Sequence, residues 1–306
     1  MFTVKVPATS ANLGPGFDSI GMALSLYNSV SFEESESELE IISLQNDINI
    51  PLDKTNLIYE TVVYFYDLLG YKNIPNLKIV QDDRIPLTRG LGSSAACIVA
   101  GLLAANKLSG ANLPKEEISY IAAKIEGHPD NTTPAINGGV IVGVLTEEKL
   151  DYIKIDIKNP EKIKFAVMIP DFALSTNEAR AILPKTYSIS DAVFNISRAS
   201  LLIAALMSGD FEKLNTAVDD RLHQPYRKNI ICNMDEIFKK ANELGALGSF
   251  LSGAGPTLIS LVEEDAFFDK MGAYLKSIDG GYKIHNISMD IDGALLNENV
   301  KEEKMC

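Results

Sequence analysis

The segment Pro86 to Ala96 has the sequence PLTRGLGSSAA and is followed directly by the small, apolar run Cys97 to Ala105. That run contains no proline and no charge, so it predicts a buried helix that begins in the glycine-rich turn. Such a turn leaves backbone N–H groups at the helix N-terminus without intrahelical partners, and the helix dipole adds positive potential there. The site attracts phosphate, and the two serine hydroxyls can add hydrogen bonds or bind Mg²⁺. The segment therefore predicts nucleotide binding and phosphoryl transfer.

Three other interpretations of this turn have to be weighed. Residues 90–95 also fit the dinucleotide pattern G-x-G-x-x-A, but Pro86, Thr88 and Arg89 stand where a hydrophobic strand should precede it. A Walker A loop needs Gly-Lys followed by Ser or Thr, and the chain contains no such tripeptide. A plain glycine turn in which Ser93 caps a core helix stays open when the segment is considered alone.

The composition limits the partners and the location. The chain has 306 residues, 46% of them hydrophobic, which suits two packed domains. Its net charge of −13 argues against binding to nucleic acid or to an anionic membrane. The apolar runs look too short to span a bilayer, and the N-terminus lacks a signal-peptide core. The widely spaced cysteines, Cys97, Cys232 and Cys306, are typical of a reducing cytoplasm. We therefore expect a cytoplasmic protein.

The hydrophobic periodicity predicts helices and strands that alternate without a strict βαβ rhythm. Helices are expected over 55–70, 115–126, 190–208, 210–219, 233–244 and 265–277, in addition to the one after the glycine turn. Strands are expected over 3–7, within 28–45, and over 77–80, 139–144, 164–170, 257–262 and 283–289. This pattern predicts an α+β fold of two domains, 1–160 and 161–306, joined near Asn159.

A second polar segment, Pro7 to Asp18, follows the first predicted strand and is rich in turn-forming residues. Its glycines permit positive φ, while Asn12 and Asp18 place an amide and a carboxylate on a rigid loop. In isolation, this composition is more typical of a structured turn than of a binding site.

A third polar segment, Glu126 to Asn131, concentrates four polar side chains at a predicted helix end. Glu126 there opposes the helix dipole, whose C-terminal end is already negative, and a bound cation such as Mg²⁺ would offset that cost. A surface loop with an incidental histidine explains the segment equally well. Small residues at Gly253 to Pro256, between two apolar strands, permit close approach of a phosphate or form a simple hairpin turn.

Taken together, the segments resemble known motifs in order and spacing. Pro7 to Asp18, Pro86 to Ala96 and Gly248 to Pro256 resemble the three motifs of the GHMP kinases, a superfamily named after galacto-, homoserine, mevalonate and phosphomevalonate kinases. The first of these, with residues 127–131 and 177–184, is most similar to the homoserine kinase family. The resemblance covers nearly the whole chain. It implies an N-terminal ATP-binding domain like domain 2 of ribosomal protein S5, a ferredoxin-like C-terminal domain, an active site between them, and possible homodimers.

The resemblance also implies where ATP and Mg²⁺ bind. The ATP-binding positions are those that match the family's motifs, with the first two near adenine: Asn56, Leu57, Pro86, Leu87, Thr88, Arg89, Gly90, Leu91, Gly92, Ser93, Ser94, Ala95, Ala96, Gly253 and Gly255. Ser94 and Glu126 match the positions that hold Mg²⁺.

The resemblance places six side chains around the acceptor L-homoserine: Asn12 and Asp18 at the ammonium group, Arg180 and Arg227 at the carboxylate, and His128 and Thr176 along the same pocket. Arginine suits a carboxylate because its guanidinium donates two parallel hydrogen bonds. Without the resemblance, both arginines would be interpreted as members of surface ion pairs.

Two mechanisms are considered for the catalytic step. Asp130 can act as a general base, as in related kinases, or Asn131 can orient the acceptor hydroxyl without a dedicated base. A loose phosphoryl-transfer transition state needs mainly alignment and charge neutralisation, which favours positioning.

Two other functions are weighed against L-homoserine phosphorylation in threonine biosynthesis. If this family member acted on mevalonate, Asp18 would have no amine with which to pair, because mevalonate lacks one. A silent binding protein has no need of Ser94 and Glu126 as intact Mg²⁺ ligands.

Overall fold

The computed structural model describes residues 1–45 and 50–298. Its strands are β1 (Phe2–Ala11), β2 (Ile20–Glu34), β3 (Leu39–Ser43), β4 (Leu77–Asp82), β5 (Val140–Leu145), β6 (Leu150–Ile155), β7 (Lys164–Ile169), β8 (Gly248–Leu251), β9 (Leu258–Val262), β10 (Lys283–Ile287) and β11 (Leu295–Glu298). Within the described ranges they form two sheets. One has the order β11-β1-β2-β4-β3, with β5 pairing β2 and β6, and the other has the order β10-β7-β9-β8.

The helices connect and cover these sheets. They are α1 (Leu57–Leu68), α2 (Ser93–Ser109), α3 (Lys115–Glu126), α4 (Thr132–Asn137), α5 (Thr176–Ala181), α6 (Ile189–Ser208), α7 (Leu214–Ala217), α8 (Gln224–Arg227), α9 (Met234–Glu243) and α10 (Ala266–Leu275). Short 3₁₀ turns occur at Pro160–Lys162, Phe211–Lys213 and Lys228–Ile230. Mixed sheets with helices, rather than one doubly wound sheet, confirm the predicted α+β fold.

The central helix α2 is held in place by close packing against α1. A side chain at Gly101 would bring its Cβ within 2.7 Å of the Ile58 carbonyl oxygen, so the absence of a side chain lets the two helices approach. Ile58 and Phe65 of α1 are fully buried, and burial of each such side chain stabilises the fold by about 1.5–3 kcal/mol. This packing sets the position of the α2 N-terminus.

Two strands are longer than the sequence predicts. β1 continues to Ala11 instead of ending near residue 7, and β2 begins at Ile20. The pairing of β1 with β2 shifts register between Pro7 and Ala8, and such an irregularity accommodates a proline that cannot donate to the ladder. The polar loop is therefore shorter than expected and begins at Asn12.

Several short elements were not predicted from the sequence. The helices α4, α5 and α8 have four to six residues each, too few to display a helical repeat. Strand β11 pairs with β1, so it lies in the sheet of the N-terminal half although it follows residue 161. The domain boundary at 160/161 stays a prediction. Strand β11 lies on the C-terminal side of that boundary, although it pairs with β1.

The helix α6 is, by length and composition alone, long and apolar enough to cross a membrane, contrary to our expectation of short apolar runs. Its buried face includes Asn195, whose side-chain amide donates to Asp220 Oδ1 at 2.6 Å and to the Pro15 carbonyl at 3.2 Å. One face of α6 therefore packs against the rest of the fold, while apolar side chains such as Ile189 and Ile196 are exposed.

Candidate active site

A cavity of about 310 Å³ brings the three glycine-containing segments together. The predicted site residues that line it are Asn12, Asp18, Asn56, Leu57, Leu87, Thr88, Arg89, Gly90, Leu91, Gly92, Ser93, Ser94, Glu126, His128, Asp130, Asn131, Thr176, Arg180, Arg227 and Gly253. Pro86, Ala95, Ala96 and Gly255 are not among its lining residues. Ala95 and Ala96 instead point into the core, because both are buried on the inner face of α2.

The N-terminus of α2 forms a part of the cavity that we call the phosphate end. Its N-cap is Gly92, at φ +69°, and no side chain caps the helix. Ser93 is the first helical residue, so the interpretation of Ser93 as a capping residue is wrong. Its hydroxyl is buried and has no hydrogen-bond partner in the part of the chain that the structure describes. A 17-residue helix with uncapped N–H groups and a buried, unpaired hydroxyl at its start is well suited to bind phosphate.

The glycine turn is supported from both sides by backbone. A Cβ on Gly90 would lie 2.3 Å from the Ser252 carbonyl oxygen, so the third glycine segment packs directly against the second. Ser252 Oγ donates to the Gly90 carbonyl at 2.6 Å. Arg89 donates to the carbonyl oxygens of Pro170 at 3.2 Å and Asp171 at 2.7 Å. The Arg89 guanidinium therefore connects the glycine turn to the residues that follow β7.

The acceptor end of the cavity contains a two-pronged ion pair. Arg180 Nη1 and Nη2 donate to Asp18 Oδ2 and Oδ1 at 3.0 and 2.9 Å. Both side chains are partly exposed, 31% for Asp18 and 45% for Arg180. The hydrogen bonds to Asp18 are the main cause of a raised Arg180 pKa. The two charges predicted to bind opposite ends of the acceptor therefore form an ion pair with each other.

Arg227 is the second cation at this end, and it is 2% exposed. It is therefore not a surface ion-pair partner. Its Nε donates to the Ala179 carbonyl at 3.1 Å and its Nη1 to the Gly253 carbonyl at 3.0 Å. Burial, reinforced by the nearby charge of Arg180, lowers the Arg227 pKa to about 10, so the group stays charged at neutral pH.

The polar loop after β1 is tied to the same end. Asn12 donates to the Gly253 carbonyl at 3.0 Å and accepts from the Asp18 backbone N–H at 3.0 Å. Asn12 thus connects the first and third glycine segments, which leaves fewer free groups for an ammonium ion than the sequence suggests. Phe17 was not predicted as a site residue. Its ring centroid lies 5.5 Å from Cζ of Arg180 and 5.6 Å from Cζ of Arg227.

A chain of hydrogen bonds runs from β1 to the Glu126–Asn131 segment. Thr9 Oγ1 donates to Asn131 Oδ1 at 2.8 Å, and His128 Nδ1 lies 2.5 Å from Asp130 Oδ1. Burial opposes the charged form of His128, but the hydrogen bond and charge of Asp130 outweigh it and raise the His128 pKa. A Cβ on Gly92 would lie 3.2 Å from Asn131 Oδ1, so Asn131 directly adjoins the phosphate-binding turn.

Glu126 ends α3, as predicted, and Gly127 terminates the helix at φ +89°. Burial raises the Glu126 pKa, and no described cation forms an ion pair with it. Ser94, also in the cavity wall, is exposed. One half-buried carboxylate and one available hydroxyl are oxygen donors of the kind that Mg²⁺ prefers. The residues present therefore fit a divalent cation.

A third part of the cavity, its apolar end, also contains amides and one carboxylate. Asn56 caps α1 by accepting from the Ile58 N–H at 3.0 Å. Gln81, Asp83 and Cys97 also line this end and were missed, since Gln81 and Asp83 lie at the end of a strand and Cys97 within an apolar run. Burial raises the Cys97 pKa to about 12, so its thiol stays protonated. Cys306 lies outside the described residues.

Comparison with known proteins identifies the class. Residues 56–139 match the GHMP kinases N terminal domain, and residues 202–276 match the GHMP kinases C terminal domain. A mevalonate kinase of Methanococcus jannaschii, 19% identical, superposes with a TM-score of 0.72 over 94% of this chain and 98% of its own, which shows the shared fold.

Relatives within this class are more similar. A homoserine kinase of Caldicellulosiruptor saccharolyticus is 50% identical over 91% of this chain and 90% of its own. One of Clostridium acetobutylicum is 46% identical over 97% of this chain and all of its own. The homoserine kinase structure from Cytophaga hutchinsonii has a TM-score of 0.85 at 28% identity and covers 96% of each chain. The chain therefore belongs to the homoserine kinase family of the GHMP kinases.

Proposed function

We propose that the protein transfers the γ-phosphoryl group of ATP to the side-chain hydroxyl of L-homoserine, which yields O-phospho-L-homoserine for threonine biosynthesis. The observation that carries the proposal is the Asp18–Arg180 ion pair in the same cavity as the uncapped N-terminus of α2. The cavity thus contains a phosphate-binding helix end beside one anion and two cations. The family membership supports the same reaction.

The ion pair suits a zwitterionic acceptor. The ammonium group of homoserine can replace Arg180 as the partner of Asp18, and its carboxylate can replace Asp18 as the partner of Arg180. Each charged side chain therefore keeps a partner. Partly exposed ion pairs contribute only about 0–1 kcal/mol to stability, so the exchange costs little. Arg227 adds a second donor, since its Nη2 has no hydrogen-bond partner in the described part of the chain.

The phosphate end supplies alignment and charge neutralisation. The α2 N–H groups and the Ser93 hydroxyl bind the phosphates of ATP, and Ser94 and Glu126 would hold Mg²⁺. When bound, Mg²⁺ neutralises charge on the phosphate oxygens. Asn131 lies between this end and the acceptor, where its amide can orient the attacking hydroxyl.

Asp130 positions the neighbouring groups in this proposal. Its carboxylate is already engaged with His128, whose raised pKa favours the charged imidazolium. That contact occupies one carboxylate oxygen of Asp130. A loose transition state places little demand on a base, so the acceptor proton can leave late in the reaction.

Mevalonate fits this cavity less well. Its carboxylate would draw Arg180 away from Asp18, but it has no ammonium to replace Arg180, so Asp18 would lose its partner and gain none. The resulting unpaired carboxylate would disfavour mevalonate.

The test is ADP release in the presence of ATP and Mg²⁺, with L-homoserine, mevalonate and L-threonine compared as acceptors. We expect turnover that depends on L-homoserine and exceeds turnover with mevalonate by at least about tenfold, the value of one lost charge-assisted contact. Absence of homoserine-dependent ADP release would overturn the proposal. A homodimer and a cytoplasmic location remain predictions.

A further inference from the structure

A buried carboxylate without a cationic partner lies at the apolar end of the cavity. Asp83 follows β4, is 3% exposed and lines the cavity. Its contacts are two side-chain amides: Asn28 Nδ2 donates to Oδ1 at 2.8 Å, and Gln81 Nε2 donates to Oδ2 at 3.1 Å. Within residues 1–45 and 50–298, no lysine, arginine or histidine forms an ion pair with it.

These two amide contacts leave part of the Asp83 carboxylate available. Each carboxylate oxygen has two lone pairs, and each accepts one hydrogen bond here. Burial, with a smaller contribution from the charge of Asp82, raises the Asp83 pKa to about 6, so the group is mainly anionic at neutral pH. A buried anion of this kind is stabilised by any further N–H donor that enters the cavity.

The neighbouring amides are already committed. Asn56 donates to the Pro51 carbonyl and to Gln81 Oε1, both at 2.8 Å, while its oxygen caps α1. Asn28 accepts the backbone N–H groups of Arg84 and Ile85, both at 2.8 Å. Asn56 therefore has no free donor, whereas Asp83 is an anionic group with spare acceptor capacity.

We propose that Asp83 determines which purine the enzyme accepts, by receiving a hydrogen bond from the exocyclic amine at position 6 of the base. This rests on the proposed ATP-dependent reaction and deepens it. The apolar surface of Leu57 at the same end of the cavity is suited to the face of a planar ring. A 6-oxo purine would present a carbonyl oxygen to the carboxylate, which repels it and leaves both acceptors unpaired.

The network also makes Asp83 a positioned group. Its two amide donors come from different strands, Asn28 from β2 and Gln81 from β4. Gln81 is in turn fixed by Asn56 at the start of α1. The carboxylate is therefore held in one orientation before the nucleotide arrives, which lowers the entropic cost of the contact.

The experiment measures equilibrium binding of ATP, ITP and purine riboside triphosphate by calorimetry, so it does not depend on which acceptor is phosphorylated. We expect ATP to bind about 5- to 150-fold more tightly than ITP, the range that corresponds to the cost of about 1–3 kcal/mol for an unpaired buried polar group. Purine riboside triphosphate, which lacks a group at position 6, should bind between the two. Equal affinity for ATP and purine riboside triphosphate would overturn the proposal.

Substitutions at Asp83 and Asp82 provide a second test of the proposal. Asp83→Asn should reduce the ATP:ITP affinity ratio to near one, because the asparagine amide can donate to a 6-oxo group. Asp82→Asn is the matched control: its carboxylate contacts Arg84 and Gln45 and does not line the cavity, so the ratio should stay unchanged. An unaltered ratio in Asp83→Asn, or an equal fall in both variants, would contradict the proposal. If Asp83→Asn fails to fold, the three nucleotides on the natural protein decide.

Discussion

The phosphate end and the acceptor end of the cavity bind their ligands by different means. The phosphate end consists largely of backbone: the uncapped N-terminus of α2, a glycine turn, and carbonyl groups that hold it in place. The acceptor end consists of charged side chains that pair with one another, Asp18 with Arg180 and His128 with Asp130. The first end is preformed, and in our proposal the second exchanges partners when the acceptor binds. Substitutions should therefore act geometrically at the phosphate end and through charge at the acceptor end.

The largest effect is expected from Gly92→Ala. The new Cβ would lie 2.0 Å from Thr9 Oγ1, and the positive φ adds strain. Displacement of the turn by about 1 Å should lower kcat/KM by about 10²-fold. Gly110→Ala is the matched control, since Gly110 caps the other end of α2 at φ +70° with nothing within 4 Å. It should reduce the melting temperature while kcat/KM is retained. Comparable kcat/KM losses in both variants would show that the turn geometry is not the cause.

Asp18→Asn tests the charge exchange at the acceptor end. A hydrogen bond to a charged group contributes about 1.5–3 kcal/mol, so the KM for L-homoserine should rise about 10–100-fold while the KM for ATP changes little. The control is Asp191→Asn, whose carboxylate pairs with Arg221 at 3.4 Å outside the cavity. Equal increases in both KM values of Asp18→Asn would identify Asp18 as structural.

Glu126→Gln separates the proposed Mg²⁺ site from the rest of the phosphate end. The loss of one carboxylate ligand should lower kcat at fixed Mg²⁺ by at least about tenfold, as perturbed metal sites do. Additional Mg²⁺ should restore part of the activity. Glu117→Gln, an exposed residue in the first turn of the same helix, should leave kcat unchanged. A kcat that does not respond to Mg²⁺ would remove Glu126 from the metal site.

The smallest effect concerns the pH dependence of stability. Because the folded-state pKa of His128 is raised, its contribution is complete below the unfolded-state pKa of about 6.5 and is lost as pH rises through the folded value. Urea unfolding of the natural protein and of His128→Gln, measured between pH 5.5 and pH 8, should show a difference in free energy that shrinks with rising pH. A difference that is constant across this range would mean that His128 and Asp130 do not share a charge-assisted bond.

The sequence was sufficient for most of the architecture. The α+β class and the longer helices follow from periodicity, and the Gly92–Ser93 helix start follows from turn chemistry and apolar composition. Local patterns did not predict pairings across the chain: Asp18 and Arg180 are 162 positions apart, and only the family resemblance placed both around one acceptor. For the same reason, the sequence does not show that donor groups of Arg89 and Asn56 are used within the protein.

Asp83 shows a second limit. An aspartate beside another aspartate at a strand end has the composition of a solvated turn, and only the tertiary contacts of Asn28 and Gln81 show that it is buried. Burial of a polar group depends on the whole fold. Local sequence does not contain that information.

The central claim is that the acceptor end selects its substrate through the partner exchange at Asp18. The most direct measurement is a double comparison of kcat/KM, for the natural protein and Asp18→Asn, with L-homoserine and with 4-hydroxybutanoate, which is homoserine without its amine. We predict that Asp18→Asn lowers kcat/KM for L-homoserine about 10–100-fold and leaves the lower value for 4-hydroxybutanoate nearly unchanged. The same fractional loss with both acceptors would contradict the account, because Asp18 would then act without contacting the amine.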